Sequence, residues 1–394
     1  MIFLVLLHFT LKIIDLTFIF AVRTAGTAQM DQPTQSPTIP QPSKSPAMHP
    51  SLEPSESPTT YKTKRPTLPL PEVLPQDILY GADEFNRIKD IVLSGSPKSG
   101  PALTDPSSPQ SQALTWIYTQ RSSDLSDERM LQRWGLASFY FGTNGDNWIV
   151  KDGWLQHQSE CSWHGVSCLN GVVSKLELEQ NRLTGFLVPE IRLWKNDLYV
   201  VSLGNDYDAP SDERNSFVMP LPSVLSELSY ISFLNLENVG LVSDIPEDFF
   251  SNLSHLQSLY LNNNDITGTL PRSIKHLSSI KVLWLGGNNM DGSIISEIGY
   301  LTSLVDLSLE SNFREDSGGN RGFNAALPSE IGRLANLEIL NLADNALSGQ
   351  LPLQMGGLIS LRQLQLRNNF LENQLPTALG KLEMLEQLDI SHNW

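Results

Sequence analysis

The chain has 394 residues, room for two or three domains, and a hydrophobic share of 40% that is ordinary for a folded protein. Its formal net charge is −16, from 43 acidic against 27 basic side chains, which argues against the clustered basic footprint that nucleic acid requires. The two cysteines, Cys161 and Cys168, make one disulfide in an exported protein and two free thiols in the cytosol, so the N-terminus decides their chemistry. Residues 1–22 are strongly apolar, interrupted by Lys12 and Asp15, and small residues follow up to Ala28. Residues 1–28 are therefore expected to be a signal peptide cleaved near Ala28, or a signal anchor holding the chain to a membrane through residues 1–22. Charges near mid-span cost about 2.5–3.5 kcal/mol each on insertion scales, which favours cleavage. Either way the expected location is secreted or at the cell surface, on the extracellular side.

Residues 29–110 are expected to form a disordered stalk rich in Pro, Ser and Thr, with too few branched aliphatics to offset chain entropy. A short amphipathic pattern between Asp77 and Leu93 predicts one helix within it. Residues 111–172 are expected to form a small helical cap. Ala113, Leu114, Ile117 and Tyr118 mark one helix. A second starts where Ser126 caps and Asp127 and Glu128 suit the positive end of the helix dipole. Met130, Trp134, Ala137 and Phe141 share its apolar face, and Gly142 ends it.

From residue 173 to 394 one pattern recurs with a period of 24 residues; its purest copy runs from Leu256 to Ser279. In L-x-x-L-x-L the alternating leucines form the buried face of a short strand. Nine copies are centred on Leu176, Val201, Leu234, Leu259, Leu283, Leu307, Leu340, Leu364 and Leu388. An Asn recurs at the next fixed slot (Asn181, Asn264, Asn288, Asn312, Asn345, Asn369, Asn393), where stacked amides would satisfy a buried turn. Two copies, Val201 to Leu234 and Leu307 to Leu340, are nine residues longer than the period. Both insertions are expected between the Asn slot and the following Leu-Pro, as polar loops beside the concave edge. Asp206 and Val239 stand where two of the asparagines belong, predicting a weak ladder there. The last copy is read as truncated, since the sequence stops inside it.

The L-x-x-L-x-L-x-x-N-x-L-x-G-x-L-P consensus resembles the plant-type leucine-rich repeat of receptor ectodomains, receptor-like proteins and secreted inhibitors. The motifs before it, Thr143–Trp148, Gly153–Leu155 and Cys161–Cys168, are similar to that family's N-terminal cap. The resemblance implies an α/β fold: a right-handed leucine-rich-repeat solenoid (L domain-like) with a small helical N-terminal cap, preceded by a disordered stalk. It also implies that Cys161 and Cys168 form a disulfide, with Trp148, Trp154 and Trp163 covering the open end of the solenoid.

With the leucines committed to the core, ligand binding falls to the variable strand positions. The expected concave-face site comprises Tyr260, Trp284, Asn235, Ser308, Asn262, Lys281, Asp306, Glu310, Asn341 and Gln365, with Tyr260 and Trp284 as adjacent exposed aromatics. A shield over the sheet is the competing reading of those two rings. The expected partner is a protein or peptide ligand, together with a candidate co-receptor. A secreted inhibitor, a wall-associated structural protein or a truncated receptor-kinase ectodomain are the alternatives. Asn252 begins the one N-glycosylation sequon. No His-Glu-x-x-His, Gly-x-Ser-x-Gly or phosphate loop occurs, so no catalytic residue, metal or cofactor is expected.

Overall fold

The computed structural model describes residues 78–120, 125–316 and 319–394, which belong to one compact unit, Pro71–Trp394. The expected signal or anchor and the stalk before residue 78 lie outside the described residues. Three helices open this unit: α1 (Ile78–Gly95), α2 (Pro109–Thr119) and α3 (Asp127–Gly142). Ser126 caps α3 by accepting from the Arg129 amide at 3.3 Å, as its sequence position suggests. Ser108 does the same for α2, accepting from the Ser111 amide at 3.0 Å.

The boundary expected at residue 110 is corrected. The folded cap reaches back at least to α1, whose Ile88 and Val92 are buried in the same core as α2 and α3. Phe85 meets Tyr118 edge-on at 5.4 Å. The Pro- and Ser-rich segment that follows makes two single-turn 3-10 helices, Pro97–Ser99 and Ala102–Thr104, and buries Leu103. Ser99 and Gln110 donate to the two oxygens of the fully buried Glu190 at 2.5 and 2.7 Å, tying this segment to the first repeat. Composition suggested a stalk because few apolar residues are present. Phe85, Ile88, Ile91 and Val92 nevertheless sit at helical spacing and pack into the core.

The solenoid is a ten-stranded sheet. In spatial and chain order its strands are β1 (Val166–Leu169), β2 (Val172–Glu177), β3 (Val200–Ser202), β4 (Phe233–Asn235), β5 (Ser258–Tyr260), β6 (Val282–Trp284), β7 (Asp306–Ser308), β8 (Ile339–Asn341), β9 (Gln363–Gln365) and β10 (Gln387–Asp389). β1 pairs antiparallel with β2, and the nine repeat strands are parallel and in register. Seven of the first eight repeats return through a short 3-10 segment, such as Arg272–His276 or Ser296–Tyr300, and the third returns through turns at 247–252. Strands stack about 4.8 Å apart while the return side is bulkier, so the sheet is the inner, concave face. The central residues of the first eight repeat strands, seven leucines and Val201, are fully buried.

Immediately after the strands, eight of the nine repeats place one residue in the left-handed region: Gln180, Asn238, Asn263, Gly287, Ser311, Asp344, Asn368 and His392, with φ between 47° and 64°. The next residue supplies the asparagine ladder. Asn288 shows the regular pattern: its Nδ2 donates to Leu261 O and Leu285 O, and its Oδ1 accepts from the Ile266 amide of the preceding repeat.

The first insertion lies elsewhere than expected. Asp206 is exposed, and Asn215 holds the ladder position. Asn215 Nδ2 donates to Leu178 O and Leu203 O, and its Oδ1 accepts from the Asn181 and Leu183 amides. The nine extra residues, 206–214, therefore precede the ladder asparagine. In the second long repeat the extra chain follows Asn312 and begins a hairpin of Arg314–Asp316 paired antiparallel with Gly319–Arg321. The two insertions match in length but not in place. At Val239 the ladder does lack an amide. Asn205 bridges the gap, donating to Asn215 O and Asn238 O at 2.8 and 2.6 Å.

Candidate functional site

Register fixes which side chains share the concave face. One column runs Glu177, Ser202, Asn235, Tyr260, Trp284, Ser308, Asn341, Gln365 and Asp389, each paired with the next across adjacent strands. Residues two positions earlier, including Asp306, and two later, including Asn262, Gly286 and Glu310, form parallel columns on the same face because strand side chains alternate. All ten expected binding residues thus lie on or beside three neighbouring columns; Lys281, one residue before β6, is exposed.

Exposure divides them. Tyr260 is only 6% exposed, which corrects the expectation of two exposed rings. It packs edge-on against Trp284, centroids 5.1 Å apart, and against Phe233 at 5.6 Å. Phe233 was not among the expected site residues, and it is what covers Tyr260 from the β4 side. Trp284 is half-buried and forms the aromatic surface. Asn235 is buried and engaged: its Nδ2 donates to Glu179 Oε1 at 3.0 Å and its Oδ1 accepts from the Glu237 amide. Asn341 accepts from the Ala343 amide at 3.2 Å. Gln365 is half-buried, and Ser308 and Asn262 are buried.

The electrostatic centre of this face is on β7 and just beyond it. Asp306 is 5% exposed, and burial pushes its carboxyl up to about 6, with the Trp284 indole N–H opposing and the Glu310 charge adding. Glu310 is raised as well, chiefly by burial, with the Ser308 hydroxyl opposing and Asp344 adding. The base acting on Glu310 is Arg367, which is held by Asp344 at 3.2 Å.

At the closed end, Cys161 and Cys168 form a disulfide, as the resemblance implied. Trp148, Trp154 and Trp163 are buried in a chain of aromatic contacts, at 4.8 Å for Trp148–Trp154 and 5.0 Å for Trp154–Trp163. Asn252 is exposed, as a glycan acceptor must be. Among the described residues no group of three His, Cys, Asp or Glu is placed to hold a metal, and no helix is long and apolar enough to cross a membrane.

A profile for the leucine rich repeat family matches residues 229–290, and another matches residues 336–358 and 360–382. Those segments of the solenoid are thus matched as leucine-rich repeats. The chain's relatives include plant receptor-like proteins and receptor-like kinases. Receptor-like protein 39 of Arabidopsis thaliana is 30% identical over 194 residues, 48% of this chain and 20% of its own length. Serine/threonine-protein kinase BRI1-like 2 of the same plant is 29% identical over 154 residues, 39% of this chain and 13% of its own length. The match thus spans a fifth or less of either relative. Among solved structures, the leucine-rich-repeat ectodomain of the Arabidopsis receptor kinase HAESA, in complex with an N-terminally extended IDA peptide hormone ligand, superposes with a TM-score of 0.57. It is 24% identical, over 68% of this chain and 42% of that one, a likeness of fold. HAESA bound to IDA and the co-receptor SERK1 gives 0.55 at the same identity and coverage.

Proposed function

We propose that this leucine-rich-repeat chain is an extracellular recognition module that binds an extended peptide or protein segment across its concave sheet, without catalysis of its own. The observation that carries this reading is the column of variable side chains, nine strands long, centred on the half-buried Trp284. A hydrophobic anchor within a polar rim is the usual form of a binding hot spot. The disulfide supports an oxidising, extracellular location. The peptide-bound and co-receptor-bound HAESA ectodomains support a peptide as ligand and a second receptor chain as further partner.

The test is selection of displayed random peptides on the oxidised full-length protein, with Trp284→Ala as the counter-screen. Peptides that bind the wild-type chain and lose at least tenfold in affinity on Trp284→Ala are the expected result. Selected peptides that bind both proteins equally would overturn the concave-face assignment. Tyr260 is unsuited to this test, because its burial makes Tyr260→Ala a stability change.

A further inference from the structure

On the concave face, Gly286 stands in one column between Asn262 on the β5 side and Glu310 on the β7 side. Having no side chain, it leaves a recess in this row, as Gly204 does on the β3 side. Glu310 leans over that recess: a Cβ placed on Gly286 would lie 3.0 Å from Glu310 Cγ. Trp284 lies two residues before Gly286 on the same face, diagonal to both Asp306 and Glu310. Two acceptors flanking the recess have no hydrogen-bond donor, Asn262 Oδ1 and Glu310 Oε2. Asn262 is itself only 8% exposed. Buried acceptors are normally satisfied, and a native group left without a donor calls for an explanation.

We propose that the recess over Gly286, bounded by Asn262, Trp284, Asp306 and Glu310, seats the guanidinium group of an arginine side chain carried by the peptide ligand. A guanidinium offers donors only, in a planar fork that suits a carboxylate and lies flat on an indole. It would supply the donors that Asn262 Oδ1 and Glu310 Oε2 lack, with Glu310 swinging off Gly286 to meet it. Its charge would compensate Asp306 and Glu310, whose carboxyls burial holds above their ordinary range. Arg367 does not fill this role, because Ala343 separates it from Glu310 in the column and Asp344 holds it. Carboxylates buried at a cost to stability, one of them lying over the recess and free to swing off it, are typical of binding sites rather than of cores.

This assignment rests on the peptide-recognition reading above, and its test is independent of any selected peptide. The probes are acetyl-arginine amide, acetyl-lysine amide and acetyl-citrulline amide, titrated into the oxidised full-length protein. The readout is the Trp284 indole N–H resonance, identified by its loss in Trp284→Phe. The expected result is a saturable shift with the arginine probe, at least tenfold weaker with lysine and absent with citrulline, which keeps the shape and loses the charge. Glu310→Gln should weaken the arginine probe at least tenfold. Equal shifts from arginine and citrulline, or none from arginine, would overturn the proposal; so would equal affinity for lysine. If Glu310→Gln fails to fold, the comparison of the three probes on the wild-type chain decides alone. An absent arginine shift alongside Trp284-dependent peptides would sink this inference and leave the peptide reading standing.

Discussion

At the residue scale, Asp306 carries a cost to stability set by its burial. Its carboxyl, ordinarily near 3.8, is pushed up to about 6 in the fold, mainly by burial. Between those values the folded chain holds a proton that the unfolded chain releases. Stability from this group therefore falls as pH rises through about 4 to 6 and stays lower above that window. Asp306→Asn removes the loss, so it should stabilise the protein by about 1–3 kcal/mol at pH 7 and by nothing below pH 4. Urea unfolding of both proteins at the two pH values checks this. A destabilised variant at pH 7 would mean that the carboxylate is satisfied in the native state. Repeat spacing places Asp306 in its column, because alternation is local. It does not reveal the burial, which depends on the neighbouring strands.

At the scale of the element, the two insertions separate what spacing reveals from what it hides. Counting forward from the strand puts Asp206 in the ladder. Counting back six residues from the Leu-Pro pair puts Asn215 there, as it does Asn264 before Leu270 and Asn345 before Leu351. A turn buried beneath the strands needs an amide that both donates and accepts, and an exposed aspartate offers only acceptors. The backward count was available in the sequence but could not be preferred without the hydrogen bonds. Deletion of residues 206–214 should restore the 24-residue period and change stability by less than about 1 kcal/mol. Deletion of 207–215 is equally long but removes Asn215 and its four hydrogen bonds, leaving acidic Asp206 in its place, and should cost about 3 kcal/mol or more. Similar denaturation midpoints for the two deletions would contradict the placement.

For the molecule as a whole, the repeats form a quasi-one-dimensional stack that depends on a closed end. That end was legible from the Trp and Cys motifs, but its extent was not. The amphipathic pattern of helix α1 predicted a helix, but α1 follows a Pro-rich run, and that composition hid its packing onto the cap. A chain beginning at residue 78 keeps the whole of α1 and its place in the core. One beginning at residue 111 loses Ile88, Val92 and Leu103 from the core and the partners Ser99 and Gln110 of Glu190. At about 1.5–3 kcal/mol per buried aliphatic side chain, the shorter chain should lose on the order of 5 kcal/mol. Equal unfolding midpoints for the two truncations would return the boundary to residue 110.

The left-handed residue that follows the strands carries a different consequence, for tolerance to substitution. Seven of those eight positions hold side chains, which cost more in that conformation than glycine does. Saturation mutagenesis should therefore show a stripe one residue wide, recurring with the period of the repeat. Glycine and asparagine would be enriched along it, while valine, isoleucine and proline would be depleted. The stripe would break at the second repeat, where the insertion begins and no left-handed residue follows the strand. A sequence library read in this way would trace the solenoid's pitch from survival alone.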